Sequence, residues 1–138
     1  MSNDEIFYPD RDIIELWVKF LKNENNDLKL KLPQIDSLWF EKVLDTIERV
    51  KMPYSVGIHS KVAHLFYYLD KDHNFLDGNK RTTIIITYLF YAMNGYRILN
   101  AERVKKLAKK LAKSHGSRNK EEWMQKIEKE LTILIELI

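Results

Sequence analysis

The segment DKDHNFLDGNKRT, Asp70 to Thr82, crowds a histidine, three carboxylates, a glycine and two adjacent cations into one short stretch. Asp70, Asp72 and Asn74 at alternate positions look like the opening of a calcium loop. That reading fails, because an EF-hand loop starting at Asp70 needs Gly at its sixth position and Glu at its twelfth. Phe75 and Arg81 stand there instead. A P-loop fails as well, since there is no Gly-Lys-Thr order and no preceding strand or glycine.

The second half has the chemistry of an anion site. Asp77-Gly78-Asn79 precedes a long apolar segment read as a helix. The first amides of a helix point outward unpaired, and its dipole is positive there. Gly78 lets the backbone approach a ligand closely. Asn79 adds a neutral donor, and Lys80 and Arg81 add charge. Asp77 would repel phosphate unless a divalent cation such as Mg²⁺ bridges the two. His73, a short step earlier in the chain, is the kind of residue that serves as a general base near neutral pH. The plainer alternative is a helix start capped by Asp77 with solvated Lys and Arg, and on local residues alone it is preferred.

These groups need elements to hold them. The chain has 138 residues, enough for one domain, 1–138, with a real core. At 45% hydrophobic residues it should fold, and four Gly and three Pro disfavour a turn-rich β fold. The absence of Cys excludes disulfide and cysteine-zinc chemistry and suits a reducing cytoplasm. No signal peptide is visible, and the longest apolar run, Ile84 to Met93, is too short for a membrane span. A net charge of +3 says little about partners.

Apolar spacing predicts helices over Asp10 to Lys22, Asp36 to Val50, His59 to Asp70, Asn79 to Asn94, Ala101 to Lys113 and Asn119 to Ile138. Asp36 or Ser37 is the natural cap of the second, and the fourth, apolar nearly all round, reads as the central buried helix. Leu28, Leu30 and Leu32 alternate with lysines and stop at Pro33, so a short extended piece is expected there. Lys51 to Gly57 contains Pro and Gly and reads as a loop or short hairpin. The expectation is an all-α bundle of about six helices with a short β-hairpin.

His73 to Thr82, HNFLDGNKRT, resembles the signature of the Fic/Doc (Fido) superfamily, His-x-Phe-x-Asp/Glu-Gly-Asn-Gly/Lys-Arg, at every fixed position. Lys80 followed by Arg-Thr is the variant seen in the Doc, or death-on-curing, branch. The flanking helices and the MNGYRI ending are similar too, so the resemblance covers about Trp39 to Leu111, with a looser match at the first helix. It implies a fold, a Fic/Doc-type helical bundle. It also implies an activity, Mg²⁺-dependent transfer from ATP or another nucleoside triphosphate to a protein hydroxyl. His73 would be the base, Phe75 a core plug, and Asp77 the Mg²⁺ ligand. Gly78, Asn79, Lys80 and Arg81 would cradle the phosphates. Val50 to Ile58 would be the flap, with Pro53, Tyr54, Ser55 and Val56 docking the target by strand addition. Doc-like Lys80 favours phosphoryl transfer, with elongation factor Tu as target and an antitoxin as partner. AMP or UMP transfer is the alternative. Many AMP-transferring relatives carry a second Arg three residues after the first, and here that position is Ile84.

The remaining candidates read as structural. Ser37 to Lys42 and Thr132 to Leu137 match an inhibitory Ser/Thr-x-x-x-Glu pattern only in part. His59 and His64 are spaced wrongly to share a helix face, and His115 sits in a Gly-containing loop. The lysines between Arg103 and Ser114 could meet nucleic acid, but a solvated face on a packed helix is preferred, so nucleic acid is not an expected partner. The final stripe of Trp123, Ile127, Leu131, Leu134 and Ile138 reads as core.

Overall fold

The computed structural model describes residues 5–23, 31–52, 57–71, 78–114 and 119–138. Six helices follow in order: α1 (Arg11–Asn23), α2 (Ser37–Val50), α3 (Ile58–Lys71), α4 (Asn79–Met93), α5 (Ala101–Ala112) and α6 (Lys120–Ile133). Two short strands, β1 (Tyr96–Ile98) and β2 (Ile135–Leu137), complete the described elements. The all-α class is as expected.

Four of the helices start where a side chain closes the first turn. Asp10 accepts the Ile13 amide at 2.9 Å, and Asp36 accepts the Trp39 amide at 2.9 Å. Asn100 accepts the Arg103 amide, and Asn119 forms a capping box with Glu122. Each amphipathic stripe then turns into one hydrophobic cluster that all six helices share. Ile14 and Val18 of α1, Val43 and Ile47 of α2, Phe66 and Leu69 of α3, and Leu107 and Leu111 of α5 all belong to that cluster. Phe20 falls at helical spacing with the apolar residues of α1 but lies exposed, stacked on Trp17.

α3 is as central as α4. It packs on α2, α4, α5 and α6, because its buried residues fall on more than one face. α4 buries Thr82 to Thr87 without a break, which only a helix enclosed on most sides can do. Two of its polar groups are paired across the bundle. The Trp17 indole donates to the Ile85 carbonyl at 2.9 Å, and the Trp39 indole donates to the Thr82 hydroxyl at 2.9 Å.

The C-terminal segment corrects the sequence reading. The last helix stops at Ile133, and Ile135–Leu137 pair antiparallel with Tyr96–Ile98 in the register Tyr96↔Leu137, Arg97↔Glu136, Ile98↔Ile135. Gly95, at φ 88°, turns the chain out of α4 into β1. Bonds from Leu99 N to Leu134 O (2.7 Å) and from Ile138 N to Gly95 O (2.8 Å) close the ladder at both ends. Ile138 is therefore exposed, at 78%, and not part of the core stripe. Of the expected hairpin over 51–57, residues 53–56 lie outside the described residues, and Lys51 and Met52 form a turn and a bend. Residues 24–30 also lie outside them, and Lys31 to Ile35 form neither helix nor strand. Among the described residues no helix is long and apolar enough to cross a membrane.

Candidate functional site

The described part of the site is the junction between the end of α3 and the start of α4. The end of α3 is tied down from outside. Lys71 sends its ammonium to the C-terminus of α5, donating to Ser114 O at 2.6 Å and to Ser114 Oγ at 2.9 Å. A cation suits the negative end of a helix dipole.

The start of α4 lacks the capping side chain that opens α1, α2, α5 and α6; like α3, which begins after the left-handed Gly57 (φ 85°), it opens on a glycine. Its N-cap is Gly78, in the left-handed region at φ 82°, and glycine has no side chain with which to close the first amides. The N-cap position falls on Gly78; Asp77, which the plainer sequence reading made the cap, lies outside the described residues. Pro33 presses on this turn. A Cβ at Gly78 would stand 2.6 Å from Pro33 Cβ and 3.4 Å from an Arg81 nitrogen, so only glycine fits without displacement. Asn79 and Arg81 are half-buried and Lys80 is exposed. Arg81 reaches back to the Lys31 carbonyl at 3.5 Å. Gly78, Asn79, Lys80 and Arg81 therefore gather on one helix turn: backbone amides, one neutral donor and two cations. That set fits an anion, and a polyphosphate in particular.

His73, Phe75 and Asp77 lie outside the described residues, as do Pro53, Tyr54, Ser55 and Val56 of the expected flap and His115. Ile84 is 2% exposed and belongs to the core, so no cation joins Lys80 and Arg81 from one turn further along. Of the two partial Ser/Thr-x-x-x-Glu patterns, that of Thr132 to Leu137 is tied into the structure. Glu41 is exposed. Thr132 donates to Glu128 O, and Glu136 pairs with Arg97 across the two strands. His59 and His64 are half-buried, and His64 meets the Ser60 carbonyl at 2.8 Å. Among the described residues no group of three or more His, Asp or Glu side chains could hold a metal.

One group at the junction escaped the sequence reading. Asp70, in the last turn of α3, is 0% exposed, and neither carboxylate oxygen has a hydrogen-bond partner among the described residues. The neighbouring Thr83 hydroxyl donates to Asn79 O at 2.8 Å instead. Burial pushes the Asp70 carboxyl up to about 7, against the pull of the Lys80 and Lys71 charges and of the nearby Thr83 hydroxyl. A signal was present in the spacing. Val62, Phe66 and Asp70 recur every four residues, which sets a carboxylate on the buried stripe of α3.

The Fic/DOC family profile matches residues 8–91, more than half of the 138. The match takes in α1 and stops within α4. No curated protein and no solved structure matches the chain.

Proposed function

The chain belongs to the Fic/DOC family, whose members transfer nucleotide-derived groups to proteins, and from this we propose that it is a Doc-like kinase acting on a protein Ser or Thr hydroxyl. The observation that carries the reading is the first turn of α4. It opens on a left-handed Gly78 with no side-chain cap and presents Lys80 and Arg81, while Ile84 stays in the core. Cations gathered at one end of a triphosphate favour reaction at that end, because a loose phosphoryl-transfer transition state spreads charge over the transferred group. Lys80 fills room that a Gly would leave for phosphates running along the helix, so the γ-phosphate takes the cradle beside the base.

His73 removes the proton from the acceptor hydroxyl as its oxygen bonds to the γ-phosphorus. The bond from that phosphorus to the β-γ bridging oxygen breaks, and ADP leaves. Asp77 is the motif's carboxylate for Mg²⁺, which neutralises phosphate charge when bound. By the family resemblance Phe75 would be a core plug, and Pro53 to Val56 would dock the target strand. The chain acts as a single domain. By the Doc resemblance its target is elongation factor Tu, its partner an antitoxin and its compartment the cytoplasm.

The test is ATP labelled at one phosphorus at a time, with elongation factor Tu or whole lysate as acceptor. Label should arrive from the γ position, and His73→Ala should lower transfer by about 10²- to 10⁴-fold. Label arriving only from the α position would make the chain a nucleotidyltransferase. Full transfer by His73→Ala would remove His73 from the chemistry.

A further inference from the structure

α1 carries two apolar stripes, and the bundle uses one of them. Ile14, Val18 and Leu21 are buried in the core. Ile13, Leu16, Trp17 and Phe20 fall at steps of three and four residues, so they share a second stripe beside the first. Ile13 and Trp17 are half-buried at its inner edge, whereas Leu16 and Phe20 are 66% and 57% exposed. Among the described residues, no other helix holds two large exposed apolar side chains one turn apart. The stripe is also firmly held. The Trp17 indole donates to Ile85 O at 2.9 Å, and the Phe20 ring lies on Trp17 with 5.6 Å between centroids and 14° between planes. A fixed aromatic pair loses little freedom on contact and makes a good anchor.

The charges beside the stripe choose its partner. Asp12 and Lys19 are exposed and seven residues apart, so they border the stripe on the same side, one towards each end. Neither has an ion-pair partner among the described residues. Arg11 and Glu15, by contrast, pair with each other at 3.4 Å. Two such helices laid antiparallel about a twofold axis bring Ile13 of one towards Phe20 of the other, and Leu16 towards Trp17. The same arrangement sets Asp12 of each copy against Lys19 of the other. Parallel helices would instead set Asp12 against Asp12 and Lys19 against Lys19. Opposed helix dipoles favour the antiparallel arrangement as well.

We propose that this face of α1 binds a second copy of the chain, as an antiparallel pair about a twofold axis. The face is self-complementary in charge, which is what a contact between two identical patches requires. Only four apolar side chains from each copy enter it. That is the small end of specific interfaces, so the dissociation constant should be on the order of 10 µM. The pairing stands independently of the transfer reading.

The test is sedimentation equilibrium of the full chain from about 1 to 100 µM, with circular dichroism to confirm that each variant is folded. Wild type should pass from monomer to dimer across that range. Leu16→Asp and Phe20→Asp, both at exposed positions, should each weaken association about 100-fold or more. Asp12→Lys and Lys19→Asp should each weaken it about tenfold, since one change alters two symmetric pairs. The double variant Asp12→Lys, Lys19→Asp should return close to wild type, and the two single variants should pair with each other when mixed. That recovery separates pairing from effects within α1, because reversing both charges opposes the dipole of the helix itself. A wild type that stays monomeric throughout overturns the proposal, whether or not the face captures another protein from lysate. A dimer indifferent to Leu16→Asp and Phe20→Asp overturns the choice of face. A dimer that those changes weaken, but that ignores the charge changes or is not recovered in the double variant, overturns the antiparallel pairing.

Discussion

α4 and α6 begin in opposite ways. α6 starts at Asn119, whose side chain takes the Glu122 amide while Glu122 takes the Asn119 amide, so the helix satisfies its own first turn. α1, α2 and α5 use Asp10, Asp36 and Asn100 to the same end. α4 starts at Gly78, which offers no such group, and follows it with Lys80 and Arg81. A closed start is a structural solution, whereas an open one leaves amides and charge for something else to satisfy. The cost of leaving it open is small, since Gly in place of a capping side chain loses only a few tenths of a kcal/mol. What makes the α4 start unusual is its surroundings: Pro33 against the turn, and the fully buried carboxyl of Asp70, which feels the Lys80 charge.

Asp70 offers the largest effect. Its folded pKa is raised from 3.8 to about 7, so between those values the folded state holds a proton that the unfolded state has lost. Stability should therefore fall as pH rises from about 4 to 7 and stay low above it, by roughly 4 kcal/mol in all. Asp70→Asn should remove that slope and stabilise the protein at pH 8, as followed by urea unfolding across pH. An unchanged slope would show that the buried charge is compensated and that the open end stores no strain.

Gly78→Ala comes next. It meets both the left-handed backbone and the Pro33 contact, and should cost about 1–3 kcal/mol together with most Mg²⁺-ATP binding. Gly95→Ala is the control. Its φ of 88° carries the same backbone strain, but nothing lies within 4 Å, so it should cost less, about 1–2 kcal/mol, and spare nucleotide binding. Equal effects of the two would mean that the close packing at Gly78 is incidental.

The smallest effect belongs to the closed start. Asn119→Ala should lower stability by about 1 kcal/mol in thermal unfolding and leave Mg²⁺-ATP affinity unchanged. A drop in that affinity would blur the distinction between the two kinds of helix start.

Local patterns in the chain were enough to locate all six helices, the Asp36 cap, and the turn at Gly78 that gathers Asn79, Lys80 and Arg81. Each depends on neighbours within a few residues, where periodicity and capping chemistry operate. Four features came only with the tertiary structure. Residues 135–137 continue a helical pattern on paper, but they become a strand because Tyr96–Ile98, some forty residues earlier, offers an edge to pair with. Pro33 read as the end of an extended piece, and only folding sets it against Gly78. Asp70 entered the sequence reading only as the start of the rejected calcium loop, and Lys61 not at all. Both are buried because α3 is enclosed by four other helices, so faces that an isolated helix would give to water are taken by neighbours. Local sequence encodes which face a helix prefers to bury; how many faces it must bury depends on how many partners arrive from elsewhere in the chain.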